Sequence, residues 1–134
     1  MGLDLGDKRI GVALSDPQGI LASPLAIIDC KDEASDITAI TALVYEHGVE
    51  RIVVGLPRSM DGSIGKQAEK VKDFTQNLCR YTEVPVEFRD ERLTTVSAKR
   101  LARAATTKKT RGKVRYDAAA AALILQGYLD EDSA

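Results

Sequence analysis

The stretch Gly2-Leu-Asp-Leu-Gly-Asp-Lys-Arg-Ile-Gly-Val-Ala-Leu-Ser15 decides the fold. Its first part alternates, with Leu3 and Leu5 on one face of an extended segment and Asp4 on the other. Asp7-Lys8 reads as a short hairpin turn. From Arg9 to Ser15 the alternation resumes. Ile10, Val12 and Leu14 share one face, and the small Gly11 and Ala13 share the other. A carboxylate set among positions expected to be buried is costly unless it is paired or bound to a metal. A salt bridge to Lys8 or Arg9 would satisfy Asp4, but the small residues Gly11 and Ala13 favour an open site beside it.

Outward from this hairpin, Leu21 to Ile28 reads as a third strand, and Pro24 marks it as an edge. Residues from about Glu33 to His47 carry a helical stripe of Ile37, Ile40, Leu43, Val44 and His47, stopped by Gly48. The apolar run in Arg51-Ile-Val-Val-Gly55 is that of a strand covered on both faces. After a loop from Leu56 to Gly62, the residues Ile64, Ala68, Val71, Thr75 and Leu78 mark a second helix. Pro85 to Arg89 is a fifth strand, and Thr94 or Thr95 can cap a third helix striped by Ala98, Leu101, Ala102 and Ala105. A basic loop then precedes a last helix from about Tyr116 to Leu129. Three strands on short connections predict an antiparallel meander, and the later alternation predicts right-handed parallel crossovers. The expected fold is α/β, a mixed five-stranded sheet with helices on both faces.

With 134 residues the chain is expected to form one domain over its whole length, 1–134. Its 19 basic and 20 acidic residues nearly cancel, which excludes a polycation but not a local basic surface. No apolar run approaches the ~20 residues of a membrane span, and no signal peptide opens the chain. Cys30 and Cys79 suit neither a disulfide framework nor a CxxC zinc site, so a cytoplasmic protein with reduced thiols is expected. The lone histidine, His47, argues against a His-based triad or zinc chemistry and is read as a helix C-terminal residue without a role. Hydrolysis, if it occurs, falls to carboxylates.

Asp117 shares a helix face with Ala120, Ala121, Ile124 and Tyr128, the face expected to pack on the sheet. It reads either as an N-terminal charge favoured by the helix dipole or as a side chain aimed where Asp4 faces. Glu91 lies at the carboxyl end of the fifth strand, where ligands sit in parallel α/β sheets. Parity groups it with Glu87 and Arg89, while Asp90, the fallback, falls with Val86 and Phe88. Three converging carboxylates suit Mg²⁺ or Mn²⁺, and two such ions about 4 Å apart can activate water against a phosphodiester. Lys108, Lys109, Arg111, Lys113 and Arg115 crowd just before Asp117, and Arg58 and Lys66 flank the other strand-end loop. The candidate nucleic-acid contacts are Lys108, Lys109, Arg111, Lys113, Arg58 and Lys66 of these, with Lys8, Arg9 and Arg92. With 4% aromatics and no Trp, backbone or shape readout is expected rather than base stacking. The segment from Gly55 to Lys66 mimics a P-loop but has Met60 where a glycine belongs and Gln67 where Ser or Thr belongs.

Four blocks together resemble the YqgF/RuvX family of RuvC-like Holliday junction resolvases. They are Gly2 to Ala13; Val54-Gly-Leu-Pro57 with Asp61-Gly-Ser-Ile-Gly-Lys-Gln-Ala68; Asp90-Glu-Arg-Leu-Thr-Thr95; and Asp117-Ala-Ala-Ala-Ala-Ala-Leu-Ile-Leu-Gln126. The resemblance covers nearly the whole chain in the family's order. It implies an RNase H-like fold with sheet order 3-2-1-4-5 and a metal-dependent nuclease site. The family's acidic positions fall on Asp4, Glu91 and Asp117. It also implies processing of the 5′ end of pre-16S rRNA, or action on branched or single-stranded DNA, by a monomer or weak homodimer. Two departures stand out. Met1 lies directly before Gly2, so the first strand is expected to be short, with an upstream start or a truncation open. Asp117 also lacks the second acidic neighbour of RuvC-type resolvases, which favours general phosphodiester hydrolysis over junction resolution. Two other classes compete. An actin-like ATPase shares the Gly-x-Asp-x-Gly motif but needs two such domains, and a non-catalytic nucleic-acid-binding module would use the same basic residues.

Overall fold

The computed structural model describes residues 1–57, 65–90 and 109–132, with the backbone alone at 109–117 and 132. Its strands are β1 (Gly2–Leu5), β2 (Arg9–Ser15), β3 (Ala22–Asp29), β4 (Ile52–Leu56) and β5 (Val86–Asp90). Its helices are α1 (Glu33–His47), α2 (Lys66–Cys79) and α3 (Lys109–Asp132). The sheet runs β3-β2-β1-β4-β5, with β2 antiparallel to both neighbours and the β1–β4 and β4–β5 pairs parallel. This is the expected order. The helix expected from Thr94 or Thr95 lies outside the described residues.

Local chemistry explains the turns. Gly6 donates its N–H to the Arg9 carbonyl (2.9 Å) and closes the first hairpin. The carboxylate of Asp16 accepts from the N–H groups of Ile20 (2.7 Å) and Leu21 (3.2 Å), which holds its pKa below the usual range and shapes the second hairpin. Asp32 caps α1 by accepting the Ser35 N–H at 2.8 Å. Gly48 ends α1 at φ 61°, a left-handed conformation that costs glycine nothing. Pro24 sits on edge strand β3, opposite Ala13 and beside a register shift.

Helices α1 and α2 cover one face of the sheet. There Leu3, Ile10, Val12, Ile40, Ile52, Val54 and Leu78 form the main apolar core. All five residues of β4 are buried, as a strand covered on both faces requires. Helix α3 covers the opposite face, where Ala13, Val53, Ala121, Ala122, Ile124 and Leu125 pack together.

Three expectations are corrected. The basic stretch Lys109 to Arg115, expected as a loop, belongs to α3. Lys and Arg are good helix formers, and the alanine-rich run that follows sustains the helix through the single Gly112. His47 is exposed rather than part of the apolar stripe, which ends at Val44. On α3, Ala120 is only half-buried, whereas Ala118, Ala119, Ala121 and Ala122 are buried.

Candidate functional site

Parity on β1 places Asp4. Leu3 is sealed in the core under α1 and α2. Gly2 faces the other way, and a Cβ on it would lie 2.7 Å from the Ala121 carbonyl oxygen and 2.8 Å from the Leu125 Cβ. Asp4, two residues on, therefore lies on the α3 face, where it is half-buried. Gly11 pairs with Asp4 across β2. On the other side, Leu3 pairs with Val54, so the same register carried one residue further sets Gly55 beside Asp4. Gly55 in turn pairs with Arg89. One row across the sheet thus reads Gly11, Asp4, Gly55, Arg89. The carboxylate has a glycine on either side, and no strand neighbour on that row fills the space above the sheet next to it.

Helix α3 runs antiparallel to β1 and β4. Gly2 pairs with Val53 and meets Ala121 and Leu125, while Arg51, two residues before Val53 and just ahead of β4, meets Tyr128. Moving forward from Gly2 to Asp4 therefore means moving back along α3 from Ala121, and Asp117 is one turn earlier. The helix brings the Asp117 position towards the Asp4 end of the sheet; its side chain lies outside the described residues. Glu91 does too, but it directly follows Asp90, the last residue of β5. Glu87 pairs with Val53 and bonds the Tyr128 hydroxyl, and Arg89 pairs with Glu131. Both β5 side chains thus lie on the α3 face, and Asp90 alternates to the face of Phe88.

The basic candidates that are described gather at the same edge. Lys8 is exposed in the β1–β2 turn, and Arg9 opens β2 on Asp4's face, 3.8 Å from the Asp29 carboxylate. Lys66 is exposed at the first residue of α2. Gln67 and Lys70 of that helix line a cavity with Leu5, Gly6 and Asp7, which ties the start of α2 to the exit of β1. Lys109, Arg111 and Lys113 lie in the first turns of α3, with side chains outside the described residues. Arg58, Arg92 and Lys108 lie outside them altogether.

That cavity, about 340 Å³, opens on the α1/α2 side of the sheet edge and does not include Asp4. Asp7, Asp32, Glu33 and Asp36 outnumber Lys31 and Lys70 around it, so it repels phosphate. Its Cys30 thiol is pushed up in pKa by burial first and by Asp36 and Asp29 next, which keeps it protonated rather than nucleophilic. Asp36 itself is buried and accepts the Lys31 N–H at 3.1 Å, a structural tie across the start of α1.

Among the described residues no three His, Cys, Asp or Glu side chains converge as a metal site. The residue of the expected set that is described, Asp4, offers carboxylate oxygens in a glycine-flanked position, a donor type that suits a hard cation. Two residues that shape this face were not singled out from the sequence. Gln126 accepts the Ala22 N–H at 2.9 Å and donates to the Ile20 carbonyl at 2.8 Å, so it locks α3 to the β2–β3 hairpin. The Arg89 side chain packs under α3, a placement that its parity with Glu87 hinted at and its charge concealed.

Comparison with known proteins places the fold and the family. A protein of Moorella thermoacetica named "Putative pre-16S rRNA nuclease" is 51% identical over 130 residues, covering 97% of this chain and 93% of that one. A protein of the same name from Dehalococcoides mccartyi is 51% identical over 127 residues, covering 95% and 94%. Among solved structures, Thermus thermophilus RuvC in complex with a Holliday junction substrate superposes with a TM-score of 0.67 at 13% identity, covering 99% of this chain and 95% of that one. That likeness establishes the RuvC-like RNase H fold expected from the four motif blocks. Residues 1–131 match the family described as RuvX, Holliday junction resolvase, and the chain belongs to that family.

Proposed function

We propose that this chain is a metal-dependent nuclease that hydrolyses phosphodiester bonds of structured RNA in the cytoplasm, trimming the 5′ end of pre-16S rRNA during ribosome biogenesis. The observation that carries this reading is Asp4. It is a half-buried carboxylate between Gly11 and Gly55, on the face covered by α3 and at the edge where Lys8, Arg9 and Lys66 gather. Asp4, Glu91 and Asp117 would hold Mg²⁺ or Mn²⁺, two ions in all. Such ions, when bound, supply a nucleophilic water and stabilise the leaving oxygen. The protein's own part is to hold the carboxylates on β1, directly after β5 and on α3. Lys8, Arg9, Arg58, Lys66, Arg92, Lys108, Lys109, Arg111 and Lys113 would seat the phosphate backbone. The names of the relatives support the rRNA substrate.

The family description and the junction-bound structural neighbour favour a second reading, cleavage of branched DNA. A cleavage assay separates the two. Matched pre-16S RNA, single-stranded DNA and four-way-junction substrates are presented with Mg²⁺ or Mn²⁺, beside the Asp4→Asn variant. Preferential cleavage of the RNA, lost in Asp4→Asn, is expected. Cleavage of the junction alone establishes the second reading. Metal-free binding with no cleavage of any substrate would reduce the chain to a binding module.

A further inference from the structure

Arg89 stands two residues before Glu91 and in the same cross-sheet row as Asp4. Its side chain is only 9% exposed, packed between β5 and α3. Nη1 meets the Glu131 carboxylate at 2.6 Å, and Nε, also buried, has no hydrogen-bond partner among the described residues. The guanidinium fits because position 127 of α3 is glycine. A Cβ there would lie 2.6 Å from Nη2 and 2.9 Å from Cζ. Burying a cation with an unsatisfied N–H against a helix is expensive, and an apolar side chain of similar size would be equally or more stabilising. Stability therefore does not explain Arg89, and geometry offers another account. β5 is an edge strand whose apolar Val86 and Phe88 lie on the α1/α2 face, with Phe88 43% exposed. Its described ties to α3 are polar: Glu87 to Tyr128, and Arg89 to Glu131.

We propose that Arg89 is a positioning residue, a clamp seated on Gly127 that fixes the carboxyl end of β5 against α3. It thereby sets the spacing between the end of β5, which Glu91 directly follows in sequence, and the helix that carries Asp117, both proposed for the metal-binding set around Asp4. This rests on the nuclease reading above and adds how that site is held in register. A directional charge pair through Nη1, with the planar guanidinium laid on Gly127, fixes one arrangement where apolar packing would tolerate several.

The test uses the full chain, Mn²⁺ titration by calorimetry, thermal melting and the cleavage assay. Arg89→Met is expected to melt at or above the wild-type temperature yet bind Mn²⁺ about tenfold more weakly, within the range of changes around metal ligands. Gly127→Ala improves the helix but displaces the guanidinium, and is expected to weaken Mn²⁺ binding in the same way. Arg89→Lys keeps the charge without the planar guanidinium and falls between. The Arg89→Met/Gly127→Ala double variant is expected to bind no more weakly than either single variant, since both remove one clamp. Wild-type Mn²⁺ affinity in folded Gly127→Ala and Arg89→Met overturns the proposal; should Arg89→Met not fold, Gly127→Ala and Arg89→Lys decide. A wild-type chain that binds no Mn²⁺ defeats the nuclease reading itself, a result distinct from a metal-binding wild type with unaffected variants.

Discussion

On the α1/α2 face of the sheet, Leu3, Ile10, Val12, Ile52 and Val54 pack against Ile40 and Leu78 in a continuous aliphatic core. The same strands present Gly2, Asp4, Gly11, Ala13 and Gly55, with Val53, to α3, which meets them with Ala121 and Ala122 as well as Ile124 and Leu125. Large side chains bury more area and contribute most of the hydrophobic stabilisation. Small ones let α3 come close to the sheet and leave room around Asp4. The contrast teaches that one face holds the fold together while the other is kept thin enough for chemistry. The two faces should therefore fail differently when altered.

The sharpest test is Asp4→Asn. Activity should fall by at least about 100-fold, beyond what changes around a metal ligand produce, while the melting temperature stays near wild type. Steady-state cleavage and a melt on the same sample check this. A collapse in stability with activity per folded molecule retained would erase the division between the faces. On the aliphatic side, Ile40→Ala should cost about 3 kcal/mol in denaturant unfolding, because Ile40 is fully buried. Cleavage per folded molecule should be unchanged in that variant.

Gly2→Ala tests the close approach on the thin face. Its Cβ would meet backbone and Cβ atoms of α3 at 2.7 and 2.8 Å, so the helix must shift. A loss of about 2 kcal/mol, with reduced activity, is expected. If both are unchanged, the closeness of α3 is not required.

A chain that starts at Met1 offers a pH test of the thick face. The Met1 α-amine donates to the Arg51 carbonyl at 2.9 Å, and burial lowers its pKa from 8.0 to about 6. Between those values the unfolded chain holds a proton that the folded chain does not. Stability is then fully present above pH 8 and is lost as pH falls towards 6, by up to about 2 kcal/mol. Urea melts across that range check the slope, and an amino-terminal extension, which makes the amine an amide, should flatten it. The smallest effect belongs to Lys66→Ala. Stability should change by less than about 0.5 kcal/mol, while the salt dependence of RNA binding should drop by about one phosphate contact.

Much of this architecture was legible along the chain. Ile37, Ile40 and Val44 announced α1, and Ala68, Val71, Thr75 and Leu78 announced α2, because amphipathic helices repeat every 3.6 residues over one buried face. Asp4 was legible because a strand alternates strictly, so a carboxylate opposite two leucines has one possible face. The start of α3 was not. Its basic residues carry no apolar period, and the helix there continues from the packed alanines downstream. Arg89 was half-legible. Parity set its side of the sheet, but its burial depends on Gly127, nearly forty residues away, and no local pattern reports that distance.

The sequence by itself determined the order of strands and helices, the side of the sheet on which Asp4 stands, and the family to which the chain belongs. These follow from local periodicity and from motif blocks read along one dimension. The tertiary structure alone decided that Gly11 and Gly55 flank Asp4, that α3 runs antiparallel to β1 over Gly2, and that Arg89 fits beneath Gly127. Those are relations between residues distant in the chain. They are settled only when hydrogen-bond register and close packing choose one arrangement among the many that the same local pattern allows.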